Sequence, residues 1–123
     1  MAGEKILVVD DEDIVVKSIS RLLLKQGFEP VLCRSGQEAV EKVQKESIDL
    51  IVCDIRMPGL NGVETLKQIR SLVKKPIPTI VITGYAEDHL NHEIEALEVS
   101  DYLYKPFDLS EFLACIHKHL GGK

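Results

Sequence analysis

Three runs of the chain, Ile6-Leu7-Val8-Val9, Leu50-Ile51-Val52-Cys53 and Thr79-Ile80-Val81-Ile82, are apolar at nearly every position. A strand that alternates apolar and polar residues can leave one face in water, whereas a continuously aliphatic one must be covered on both faces, as in a parallel sheet flanked by helices. Two shorter, more mixed runs, Val31-Leu32-Cys33 after Pro30 and Tyr102-Leu103-Tyr104 after Asp101, suit positions nearer the sheet edges. Between the runs the apolar period becomes helical. Val15, Ile19, Leu22 and Leu23 lead to Gly27, a helix stop; Ala39, Val40 and Val43 follow Ser35, an N-cap; Val63, Leu66 and Ile69 mark a third helix. Leu109, Phe112, Leu113, Ile116 and Leu120 define a last helix from near Asp108 to Gly121-Gly122, and Leu90, Ile94 and Leu97 a more polar, weakly packed helix from Glu87 to Glu98. Strands and helices thus alternate through connections of a few residues, the pattern of an α/β fold with a parallel sheet.

With 123 residues, 45% hydrophobic and 28% charged, the chain suffices for a single domain with one core, expected over residues 1–123. No apolar stretch approaches the roughly 20 residues needed to span a bilayer, and MAGEKILVVD holds no separate export segment, so the expected location is cytoplasmic. A net charge of −5 argues against direct nucleic-acid binding, which draws on clustered Lys and Arg; Lys74-Lys75 is too small a cluster to reverse it. Cys33, Cys53 and Cys115 are odd in number and lack C-x-x-C spacing, so they are expected to be reduced residues in or near the core.

In an open parallel α/β sheet, ligands bind outside the carboxyl ends of the strands, so the residues that end each run carry the chemistry. Asp10-Asp11 end the first aliphatic run, Asp54 the second, Thr83 the third, and Lys105 follows the last strand. Three converging carboxylates repel one another, and a hard divalent cation resolves the conflict. Mg²⁺ suits such a cleft because it takes oxygen ligands, keeps several waters and is typically held by one or two carboxylates with substrate phosphate. The metal and Lys105 together would screen an incoming phosphoryl group, and Thr83 adds a hydroxyl donor. One carboxylate could then attack phosphorus; Asp54, alone at the end of a central strand, is best placed, whereas Asp10-Asp11 suits metal ligation. Taken singly, each group has a plainer reading: Asp10-Asp11-Glu12-Asp13 starts a helix whose dipole favours acids, and Asp54 caps a loop. Matched groups at four strand ends weigh against that reading.

The same residues carry a family resemblance. Val8-Val9-Asp10-Asp11-Glu12, Asp54-Ile55-Arg56-Met57-Pro58 followed by Gly62, Ile82-Thr83-Gly84, and Tyr102-Leu103-Tyr104-Lys105-Pro106-Phe107 resemble, in order and over essentially the whole chain, the receiver domains of two-component response regulators. The resemblance implies a flavodoxin-like, doubly wound fold, with a five-stranded parallel sheet in the order 2-1-3-4-5 and helices on both faces. It implies that Asp54 is the phosphoacceptor, and that Asp10 and Asp11, with Asp54 and the backbone carbonyl of Arg56, hold Mg²⁺ directly or through water. Lys105 would pair with the phosphoryl oxygens, and Thr83 would turn toward the phosphorylated aspartate. Tyr102 stands at the place of the family's switch aromatic, and Lys105-Pro106 at that of its cis peptide. The implied donor is a sensor histidine kinase or phosphotransfer protein. The implied output is an effector protein or domain, or a phosphorylation-dependent homodimer, on the face built from the Glu87 helix, the Tyr102 strand and the last helix.

Val99-Ser100 departs from the Gly-Ala of many relatives, and Gly84 stands where alanine is frequent. By the same resemblance, Tyr85 and Arg56, two residues after Thr83 and Asp54, stand where such domains tune loss of the phosphoryl group. The pairs His89/His92 and His117/His119 are read as exposed helix residues without a nearby cysteine or third metal ligand. Three function classes compete: a signalling phosphoacceptor that catalyses its own modification and slow hydrolysis, a phosphorylation-independent interaction module, and a Mg²⁺-dependent phosphatase or phosphotransferase for a small substrate. The complete polar set weighs against the second, and loops too short for a substrate-specificity insert weigh against the third.

Overall fold

The computed structural model describes residues 3–55, 61–84, 96–97 and 99–120. In chain order the elements are β1 (Lys5–Val9), α1 (Asp13–Lys25), β2 (Glu29–Cys33), α2 (Gly36–Lys45), β3 (Leu50–Asp54), α3 (Gly62–Leu72), β4 (Thr79–Thr83), β5 (Asp101–Tyr104) and α4 (Leu109–Leu120). The five strands pair in parallel in the order β2-β1-β3-β4-β5, as the resemblance implied. β3 and β4 are buried at every position, while the edge strands β2 and β5 keep exposed ones. Of the helix expected from Glu87 to Glu98, only residues 96–97 are described, with Leu97 buried in the core. The Gly121-Gly122 stop also lies outside the described residues.

Successive residues of a strand point to opposite faces, and here both faces are cores. Ile6, Val8, Leu50, Val52, Ile80 and Ile82 pack against Ile19 and Leu23 of α1 and Phe112 and Ile116 of α4. Leu7, Val9, Ile51, Cys53 and Val81 pack instead against Ala39 and Val43 of α2 and Leu66 and Ile69 of α3. Fully burying a Leu or Ile side chain contributes about 1.5–3 kcal/mol, so a polar residue anywhere in these runs would cost on one side or the other. Cys33, Cys53 and Cys115 are free and buried. Burial raises the Cys33 and Cys53 thiols well above their ordinary value, in keeping with inert apolar side chains.

The helix ends are set locally. Ser35 Oγ accepts from Glu38 N–H at 3.2 Å, and Asp108 Oδ1 accepts from Glu111 N–H at 2.8 Å, as the sequence pattern predicts. After α1 the chain turns at Gly27, whose φ of +86° lies in the left-handed region that glycine adopts without steric cost. The sheet ladders extend one step past the strands: Asp10 N–H donates to Cys33 O (3.1 Å), Ile55 N–H to Ile82 O (3.0 Å) and Lys105 N–H to Thr83 O (2.8 Å). The residues that end the strands are therefore as rigidly placed as the strands themselves.

Candidate functional site

Parallel register does the convergence. Val9 is paired with Cys53, Asp54 with Ile82 and Thr83 with Tyr104, so Asp10, Asp54, Thr83 and Lys105 emerge at one end of the sheet. Lys105 meets Asp10 and Asp54 beside β1 and β3, where the strand order reverses, the place where such sheets bind ligands. Asp10 is fully buried, Thr83 is fully buried and Asp54 is 4% exposed. The approach of α3 to this end depends on Gly62, whose N–H donates to Ile55 O at 2.9 Å. A Cβ at position 62 would lie 2.6 Å from Ile55 Cα and closer still to the Asp54 carbonyl oxygen, so no larger residue fits unless the strand end moves.

The Lys105 ammonium lies 3.1 Å from Asp10 Oδ2 and 3.1 Å from Asp54 Oδ2, and also contacts Glu12 Oε1. Burial opposes its charge, but the hydrogen bond to Glu12 and the charges of Asp54 and Asp10 outweigh it and hold Lys105 above the usual lysine range. Asp10 Oδ1 accepts from Glu12 N–H at 2.9 Å. Its Oδ2 is close enough to the ammonium for an ion pair but has no aligned hydrogen bond, although it is buried. A buried carboxylate oxygen in that condition is costly unless a further cation serves it. Carboxylate oxygens of Asp10, Glu12 and Asp54 lie within 4.8 Å of one another, an all-oxygen set of the kind Mg²⁺ takes. The residues thus fit the implied ion.

Glu12 was not among the expected site residues, and exposed Asp11, which was, lies outside this oxygen group. The acidic run Asp10 to Asp13 was the available signal. Its helix-start reading holds for Asp13, which sits in the first turn of α1 and pairs with Arg34 at 2.9 Å. Tyr102 is partly buried against the core shared by α2 and α3, and the Lys105-Pro106 peptide is cis. Arg56, Tyr85, His89 and His92 lie outside the described residues. His117 is exposed beside Phe28, with ring centroids 5.9 Å apart. The reading of His119 needs correction: its side chain is only 18% exposed, and Nε2 lies 3.0 Å from Asp101 Oδ2, where Cys115 also points. The i, i+4 spacing of Cys115 and His119 was visible in the sequence, but Asp101 joins them only through the packing of β5 against α4.

The sequence pattern that describes the response regulator receiver domain matches residues 6–117. The chain belongs to this family. Over 123 residues the receiver is 32% identical to sporulation initiation phosphotransferase F of Bacillus subtilis, covering 100% of this chain and 98% of that protein. Other relatives are longer: the receiver spans 26% to 28% of several transcriptional regulatory proteins to which it is 37% or 38% identical. Its fold is similar to that of the Vibrio cholerae chemotaxis protein CheY4 (TM-score 0.90, 30% identity, 97% of this chain and 100% of that chain). It is also similar to the response regulator TrrA of Thermotoga maritima, solved in complex with Mg²⁺ and BeF (TM-score 0.82, 31% identity, 95% and 99%). Among the described residues no helix is long and apolar enough to cross a membrane.

Proposed function

We propose that this receiver accepts a phosphoryl group on Asp54 from a sensor histidine kinase or phosphotransfer protein, with Mg²⁺ as cofactor, and that the modification switches a partner-binding or dimerisation surface. The observation that carries the reading is the Lys105 ammonium held 3.1 Å from both Asp54 Oδ2 and the buried, unsatisfied Asp10 Oδ2. An Asp54 carboxylate oxygen attacks phosphorus of a phosphohistidine; the P–N bond breaks as the P–O bond forms, and the imidazole leaves and takes a proton from solvent. Asp10 and Asp54, with Asp11 and the Arg56 carbonyl as the resemblance implies, would hold Mg²⁺. When bound, the ion supplies positive charge against the equatorial phosphoryl oxygens. Lys105 exchanges its contact with Asp54 for one with the phosphoryl group, and stays oriented by Asp10 and Glu12. Thr83, buried at the end of β4, donates its hydroxyl to the phosphoryl oxygens, and Tyr102 moves inward as the threonine shifts. This catalysis is the receiver's own, and slow hydrolysis of the acyl phosphate resets it.

The donor docks beside the site on an open groove of about 560 Å³ adjoining Lys105, lined by Ile14, Pro106, Phe107 and Leu109. Ile14 is 80% exposed and Leu109 43%, which is costly in water and useful against an apolar partner. The output surface, as the resemblance implies, includes β5 and α4, in a cytoplasmic setting. Intact-mass analysis after incubation with a small-molecule phosphodonor tests the reading: one phosphoryl adduct that requires Mg²⁺ and is absent from Asp54→Asn is expected. An adduct retained by that variant overturns the assignment.

A further inference from the structure

Asp101 opens β5 at the end away from Lys105, roughly 13 Å along the strand at about 3.3 Å per residue. Its Oδ2 lies 3.0 Å from His119 Nε2 and 3.4 Å from Cys115 Sγ, and the three ligand atoms all fall within 4.8 Å of one another. We propose that Asp101, Cys115 and His119 form a zinc site that joins β5 to α4, with a fourth position open to water. Cys115 and His119 are one helical turn apart and share a face of α4. Tetrahedral zinc, with bonds of about 2.0–2.3 Å, spaces neighbouring ligand atoms roughly 3.3–3.7 Å apart, close to the 3.0 Å and 3.4 Å that already separate Asp101 Oδ2 from His119 and Cys115. Asp101 is oriented from behind, because Oδ1 accepts the Tyr102 N–H at 2.9 Å and leaves Oδ2 aimed at the other two ligands. Lys118 Nζ, 3.9 Å from Oδ2 on a side chain 71% exposed, is free to swing into solvent when a cation enters.

The donor set decides the metal. A thiolate and an imidazole suit zinc and disfavour magnesium, whereas the acidic cleft at the far end of β5 offers oxygen alone. On binding, the Cys115 thiol releases its proton to solvent, so the two negative ligands neutralise the ion. The proposal does not rest on phosphorylation of Asp54, and either reading can fail without the other.

Cobalt is the probe, titrated into the whole chain under a non-thiol reductant and with excess Mg²⁺ to occupy the acidic cleft. The expected result is one equivalent of Co²⁺ with a thiolate-to-cobalt charge-transfer band, displaced by one equivalent of Zn²⁺. The band disappears in Cys115→Ala, and binding weakens by about tenfold or more in His119→Gln. The histidine variant alters a partly exposed side chain, so it serves even where the cysteine variant folds poorly. Absence of the band in the wild type, or its persistence in Cys115→Ala, or unchanged affinity in His119→Gln, would overturn the proposal.

Discussion

Lys105 is the residue on which the charged cleft turns, because it alone among the described site residues offsets Asp10, Glu12 and Asp54. Its raised value has a definite sign: a folded-state lysine above its ordinary 10.5 contributes stability that is fully present below that value and is lost as pH rises through the higher folded one. Denaturant titrations above pH 10.5 are therefore expected to show stability falling with pH in the wild type and a flatter profile in Lys105→Met; identical profiles would refute the role. Gly62 offers a test in which two effects oppose each other. Helix propensity alone favours alanine by about 1 kcal/mol. The overlap of a Cβ with Asp54 O and Ile55 Cα is expected to win, with Gly62→Ala lowering unfolding free energy by about 1–3 kcal/mol and slowing phosphorylation. Asp54, Lys105 and Thr83 were legible in the sequence because a strand's end is marked by where its aliphatic run stops. Glu12 and His119 were not, because the first depends on which way the β1–α1 turn aims its acids and the second on contact between elements distant in sequence.

At the level of elements, the starts of α2, α3 and α4 can each be traced to a side chain, Ser35, Asn61 and Asp108. α3 opens with a reciprocal capping box in which Asn61 Oδ1 accepts from Glu64 N–H at 3.0 Å and Glu64 returns to the Asn61 N–H at 3.4 Å. Asn61→Ala is expected to cost about 1 kcal/mol in chemical denaturation and, because Asn61 adjoins Gly62, to reduce phosphorylation more than Ser35→Ala at the start of α2 does. Equal effects on phosphorylation would show that α3 does not help place β3. Strand assignment followed directly from the sequence for β1, β3 and β4, where burial on both faces confines polar residues to the strand ends. β2 and β5 were legible only as shorter, mixed runs, since an edge strand tolerates exposed residues such as Glu29 and Tyr104.

Across the whole molecule, ligand binding and partner docking are expected to be separable. Mg²⁺ at about ten times its dissociation constant should raise unfolding free energy by about 1.4 kcal/mol in the wild type and by little in Asp10→Ala, as measured by thermal or denaturant unfolding. Ile14→Asp, on the exposed groove, is expected to slow transfer from a protein donor while leaving modification by a small-molecule donor unchanged; equal slowing of both would place Ile14 in the chemistry instead. The doubly wound order places the groove, the acidic cleft and β5 around one connected sheet. The most direct test of the central claim is to phosphorylate the receiver, reduce the acyl phosphate with borohydride and map the peptides by mass spectrometry. Conversion of residue 54 alone to homoserine is the predicted result; conversion at Asp10, Asp11 or any other acid, with Asp54 intact, would contradict it.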